Sequence, residues 1–352
     1  MIRTSRKQIV ERSGFTMIEL LVVMAIIGLL AALTAGAVMR YLSTQKGNNT
    51  ETTIAKIDSE FKKVWQKVID QARIDPIPAG IDSIYGCNGD VNLARVIYIK
   101  LKLMQQFPMT FDQAINPTPN MLPRDEAYFH YLQQYGFSGS TPNSLPYESS
   151  ACLLMALQRD RSGMSLNTDM IGSDSIKSTQ NGLPYLADAW EQPLAFYRWP
   201  TANSEVNQLN KSTTAMTAIK RDAQDPEGKL MDPSWRYDAT TGKLSAGATK
   251  FLQTIHDLTS DPNNKIPLPT NPNLMVANPT SVYVVPVIAS PGTNKKLGID
   301  IWNPGPDPMS MLGTGVSFEF TLNVGAPVTQ GNQNDANDNL YNFRLTLGGK
   351  GN

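Results

Sequence analysis

The longest apolar stretch of the chain runs from Phe15 to Met39, FTMIELLVVMAIIGLLAALTAGAVM, and carries one charge, Glu19. A hydrocarbon core of about 30 Å is crossed by roughly 20 apolar residues in a helix, so the segment predicts a membrane span. Ahead of it Arg3, Arg6, Lys7 and Arg12 outweigh Glu11, which by the positive-inside rule keeps the first residues cytoplasmic and sends the bulk of the chain outward. Within the span Gly28, Ala32 and Gly36 share one helix face, a spacing that lets membrane helices approach closely. Gly47-Asn48-Asn49 then predicts a break. From Thr50 to Arg73 the pattern changes: Ile54, Ile57, Phe61, Val64, Trp65, Val68 and Ala72 fall three and four apart, with Lys, Asp and Glu opposite. That spacing predicts an amphipathic helix, capped by Thr50 or Thr53 and ended by Asp75-Pro76-Ile77-Pro78.

Helical periodicity returns over Val91 to Phe107, Asp125 to Tyr135 and Glu148 to Arg159, separated by connections such as Asn116-Pro117-Thr118-Pro119. Asp188 to Trp199 reads as a turn leading into an aromatic strand, with Trp190 in the core. Thr201 to Pro279 is polar and rich in turn signals, and predicts a loop-rich insertion. Ser281 to Ile288 has strong strand propensity, with Pro286 placing it at an edge or bulge. Helices and strands in this order make an α+β protein.

Composition narrows the function. A 41% hydrophobic fraction over 352 residues supports a sizeable core, and 31 basic against 31 acidic residues leave no net field to draw in nucleic acid. Cys87 and Cys152 are too far apart in sequence for a zinc pattern. In an oxidising compartment they could form a disulfide; two buried thiols are an equal reading, because Cys152 sits in the apolar run Ala151 to Leu157. No nucleophile elbow, His-Glu-x-x-His or phosphate-cradling loop occurs, and His130 and His256 lack a catalytic grouping. No enzyme activity is expected.

Glu19 is the residue that most needs an explanation, because an acid in hydrocarbon is costly and usually functional. A secretory signal cut after Ala35-Gly36-Ala37 gives it nothing to do, and neither does an unprocessed signal anchor. A third reading does. Gly14-Phe15-Thr16-Met17-Ile18-Glu19-Leu20-Leu21-Val22-Val23 closely resembles the class III signal of type IV prepilins and pseudopilins. By that resemblance residues 1–14 are a leader that prepilin peptidase removes between Gly14 and Phe15, the new Phe15 amine is methylated, and Glu19 serves assembly by meeting the ammonium of a neighbouring subunit. Residues 15–39 are then the transmembrane helix, 40–75 its amphipathic continuation, and 76–352 a periplasmic pilin-like globular domain with insertions at about 85–180 and 200–280.

Three later segments resemble major pseudopilins of type II secretion systems. Asp188-Ala189-Trp190-Glu191-Gln192-Pro193-Leu194 looks like their Asp-Pro-Trp-Gly-x-Pro-Tyr turn and strand, with Asp188, Trp190 and Pro193 in place and Ala189, Glu191 and Leu194 departing where the family has Pro, Gly and Tyr. Ser290 to Gly298 resembles their Ser-x-Gly-x-Asp-Gly-x-x-Gly loop, with Asn294 for Asp and Lys295 for Gly, and Asp338 to Phe343 resembles the segment that closes it. The resemblance implies a long N-terminal helix packed on an antiparallel sheet and a calcium site served here by Asn294, Asp300, Asp335 and Asp338. The alternative ligand reading is a solvated turn. The implied partners are prepilin peptidase, other pilin or pseudopilin subunits, the secretion or pilus assembly machinery and the inner membrane, with no nucleic acid. Two alternatives stand beside a fibre subunit of this kind: a minor or tip pilin with an adhesive role, and a membrane-anchored periplasmic enzyme or ligand-binding domain.

Overall fold

The structure, a computed structural model, describes residues 16–116, 122–137, 145–159, 171–198, 222–256, 265–268, 271–277, 286–295 and 340–342. The chain divides into two compact units, residues 1–46 and 47–352. Helix α1 (Met17–Ile74) is assigned without interruption through Gly47-Asn48-Asn49, which corrects the expected break. The physical reason is cooperativity. Once a helix is nucleated on both sides, extending it through one Gly costs only about 1 kcal/mol relative to Ala, and through Asn less.

In the first unit the apolar side chains of α1 are exposed all round, Met17 at 88%, Leu21 at 69% and Leu33 at 64%. The helix is long and apolar enough to cross a membrane. A Cβ added at Gly28 or Gly36 would meet no neighbouring atom.

In the second unit α1 buries Ile54, Ile57, Phe61, Trp65, Val68 and Ala72 of the expected stripe together with Ile69, while Val64 is half-buried. Phe61 lies at the centre of an aromatic group, its ring 5.2 Å from Trp65, 5.1 Å from Phe107 and 5.6 Å from Phe196. Neither Thr50 nor Thr53 caps a helix, since none begins there; both side chains bond to the domain instead. At the other end Arg95 donates to the carbonyls of Ala72 and Asp75, satisfying groups the helix leaves open.

Short helices follow: α2 (Gly80–Tyr85), α3 (Val91–Gln106), α4 (Phe111–Ile115), α5 (Glu126–Gln134) and α6 (Glu148–Gln158). Asp90, Thr110 and Asp125 cap α3, α4 and α5 by accepting from their first free N–H groups. Every residue of α6 from Glu148 to Leu157 is buried. Strands β1 (Ile176–Ser178) and β2 (Pro184–Leu186) form a hairpin, and β3 (Ala195–Tyr197) ends the turn at Asp188. The polar region expected to be a loop-rich insertion holds α7 (Pro233–Arg236), α8 (Ala246–His256) and an antiparallel pair, β4 (Lys265–Leu268) with β5 (Asn271–Ala277). Gly247 admits α8 against α2, for a Cβ there would lie 2.1 Å from the Tyr85 carbonyl oxygen.

The last strands are β6 (Val287–Ser290) and β7 (Leu340–Tyr341). They complete a three-stranded antiparallel sheet ordered β3-β6-β7, with Phe196 opposite Ile288 and Ala289 opposite Tyr341. Of the strand expected over Ser281 to Ile288, residues 281–285 lie outside the described residues. A long N-terminal helix with small antiparallel sheets makes the fold α+β and consistent with a pilin-like architecture.

Candidate assembly site

Gly14 and Phe15 lie outside the described residues. Next to them, Thr16 and Glu19 form a reciprocal cap at the start of α1. Glu19 Oε2 accepts from the Thr16 backbone N–H and from Thr16 Oγ, each at 2.8 Å, and Thr16 Oγ accepts from the Glu19 N–H at 3.3 Å. Hydrocarbon offers no water to the open N–H groups of a helix start, so an acid in the first turn does local work there. Glu19 Oε1 makes no hydrogen bond among the described residues. The sequence signal of this cap is Thr-x-x-Glu, Thr16 to Glu19, ahead of an apolar run.

In the second unit the three pseudopilin-like segments converge. Their strands are neighbours in the β3-β6-β7 sheet, although Tyr197 and Leu340 are far apart in sequence. The Asp188 carboxylate organises the turn into β3: Oδ1 accepts from Trp190 N at 2.9 Å and Gln192 N at 2.8 Å, and Oδ2 accepts from Ser290 Oγ at 2.7 Å. Ser290 Oγ in turn accepts from Gly292 N at 3.1 Å. Burial pushes the Asp188 pKa up, against the opposing pull of these hydrogen bonds and of Lys295. Thr50 of α1 reaches the same turn by accepting from Ala189 N at 3.1 Å. Trp190 is buried as core, as expected.

Both departures from family glycines fall where the backbone is left-handed, φ +64° at Glu191 and +61° at Lys295. A side chain in that region costs roughly 1–2 kcal/mol, so the turns keep their form at some expense.

Asn342 ties the closing strand to α1. Its Nδ2 donates to Asp58 Oδ1 at 2.6 Å, and its Oδ1 accepts from Ile288 N at 3.0 Å. Lys62 pairs with the other Asp58 oxygen at 2.6 Å. The sequence reading did not assign this clamp. Its trace is an acid and a hydroxyl, Asp58 and Thr50, standing on the otherwise apolar stripe of α1.

Among the expected calcium ligands, Asn294 sits half-buried in the turn after β6, and Asp300, Asp335 and Asp338 lie outside the described residues. No group of three or more His, Cys, Asp or Glu side chains suited to a metal ion occurs among the described residues. The Asn294 amide oxygen has the right chemistry for a hard cation, but one neutral donor does not make a site. Cys87 and Cys152 are both buried free thiols. Burial pushes the Cys87 thiol up to about 11, and raises that of Cys152 as well. His130 is exposed, and His256 ends α8.

The anchor-length helix, its acid-capped start and the α+β domain are consistent with a pilin-like class of protein. Residues 11–35 match the family of the prokaryotic N-terminal methylation motif, which is characteristic of type IV prepilins and pseudopilins. That motif is the one prepilin peptidase processes, and with one N-terminal apolar helix it fits a single-pass inner-membrane anchor. No curated protein and no solved structure matches the chain.

Proposed function

We propose that this chain is a structural subunit of a pseudopilus of the type II secretion class. Residues 1–14 are its leader, prepilin peptidase cuts between Gly14 and Phe15, and the Phe15 amine is methylated. Residues 15–39 hold the subunit in the inner membrane, with the N-terminus cytoplasmic, 40–75 carrying the helix onward and 76–352 in the periplasm. The observation that carries this reading is the methylation motif at residues 11–35, which from Met17 onward lies on a helix apolar all round. A secretion pseudopilus is favoured over a surface pilus by the convergence of the Asp188, Ser290 and Asn342 segments on one sheet.

Assembly follows from the charges. Glu19 Oε2 is taken by the Thr16 cap, while Oε1 is left to meet the Phe15 ammonium of a neighbouring subunit, so that two charges costly alone in lipid compensate one another. Mass spectrometry of the chain from native membranes is expected to find N-methylated Phe15 as its first residue; an intact leader, or a start after Ala37, would overturn the proposal. Glu19→Ala is expected to be cleaved normally and excluded from fibres, and normal incorporation would remove the pairing mechanism.

Calcium belongs to the same proposal, held by Asn294, Asp300, Asp335 and Asp338 with main-chain carbonyls. Calcium at millimolar concentration, roughly the working range of extracellular modules, is expected to slow proteolysis around residues 290–300. Equal cleavage with and without chelator would dismiss the site.

A further inference from the structure

The first turn of α6 enters the core with three polar residues in succession, each at most 1% exposed. Ser149 Oγ accepts from Phe196 N of β3 at 3.1 Å, and Ser150 Oγ donates to Leu186 O of β2 at 2.5 Å. Glu148 Oε1 accepts from Phe111 N, the first residue of α4, also at 2.5 Å. One turn of helix therefore fastens two strands and another helix. The serines do this as neutral groups at every pH. Glu148 does not.

Glu148 Oε2 is buried and has no hydrogen-bond partner among the described residues. With a proton on that oxygen, the cost is one unpaired hydroxyl; without it, a full charge is buried on a single N–H bond, which is far more expensive. The groups around it do little to relieve that charge. Asp112 of α4 adds a second negative charge. Tyr147 and Cys152 stay protonated because burial pushes both thiol and phenol up. The Arg198 guanidinium, near Cys152, donates to the carbonyls of Met104 and Phe107 at 3.1 and 2.6 Å at the end of α3.

We propose that Glu148 is a proton-operated latch between α6 and α4, closed while its carboxyl is neutral and released when the carboxyl ionises and draws water to the start of α4. The device stands apart from the fibre reading and holds for whatever the domain does.

The direction of the effect follows from linkage. Burial lifts the folded-state pKa from 4.5 to about 7, and the opened carboxyl returns toward 4.5. The closed form then binds more protons than the open one, so its advantage is complete below about 4.5, declines as pH rises toward 7, and levels off above it. Between pH 6 and 8.5 the opening equilibrium is expected to rise about tenfold.

Hydrogen exchange on the full chain in detergent micelles, corrected for intrinsic rates, tests this. Protection over residues 107–116 should fall about tenfold from pH 6 to 8.5, while β3 holds, and Glu148→Gln should abolish the change. Unchanged protection in the wild type, or the same loss in Glu148→Gln, would overturn the latch. Should that variant not fold, a carbon NMR titration of the wild-type Glu148 carboxyl decides the matter: a midpoint near 7 supports the latch and one near 4.5 refutes it.

Discussion

Two stretches of α1 set the same kinds of side chain to opposite uses. Along residues 17–39 Leu, Ile, Val and Met surround the helix and stand exposed, whereas along residues 50–74 they gather in one stripe and are buried. A helix apolar on every side has no polar face to turn to water, so it calls for an apolar solvent; a striped helix is satisfied by a single core. The arrangement of apolar residues therefore decides whether they contribute to the fold or to the anchor.

That contrast can be broken by paired truncations. Phe61 is 2% exposed and touches Trp65, Phe107 and Phe196, so Phe61→Ala should lower the stability of the second unit by about 3–5 kcal/mol. Leu29 is 64% exposed, and Leu29→Ala should change it by no more than about 0.5 kcal/mol. Denaturant unfolding in micelles, followed by tryptophan fluorescence, compares the two. A loss at Leu29 approaching that at Phe61 would mean that the exposed segment is part of the folded core.

The same contrast explains what could be read in advance. The stripe of α1, helices α3, α5 and α6, and the strand after Asp188 were legible because periodicity, caps and turn residues are local. Helix α8 was not, although Ala248, Phe251, Leu252 and Ile255 carry helical spacing, because the long polar flanks hid so short a stripe. The Asp58–Asn342 clamp was invisible for a different reason: its partners meet across most of the domain, and nothing near Asp58 names Asn342. Of the assembly site, Glu19 was legible from its cost in lipid, whereas its cap went unread although the Thr-x-x-Glu spacing carries it. Glu148 was not, since an acid at the start of a helix looks ordinary until the surrounding elements bury it.

The smallest expected effect bears on the one place where sequence and structure disagree within α1. Gly47 was read as a break, and the helix passes through it. A Cβ there would lie 4.0 Å from the Trp190 ring, an ordinary contact, so Ala has room. Gly inside a helix costs roughly 0.5–1 kcal/mol relative to Ala, and Gly47→Ala should stabilise the second unit by about that amount. Gly28→Ala, whose added methyl meets nothing in the chain, serves as the control and should leave that unit's unfolding midpoint unchanged. A lowered midpoint for Gly47→Ala would mean that the position needs a conformation only glycine supplies, and the break read from Gly47-Asn48-Asn49 would be restored. A raised midpoint with normal fibre assembly would show that the continuous helix is the working form.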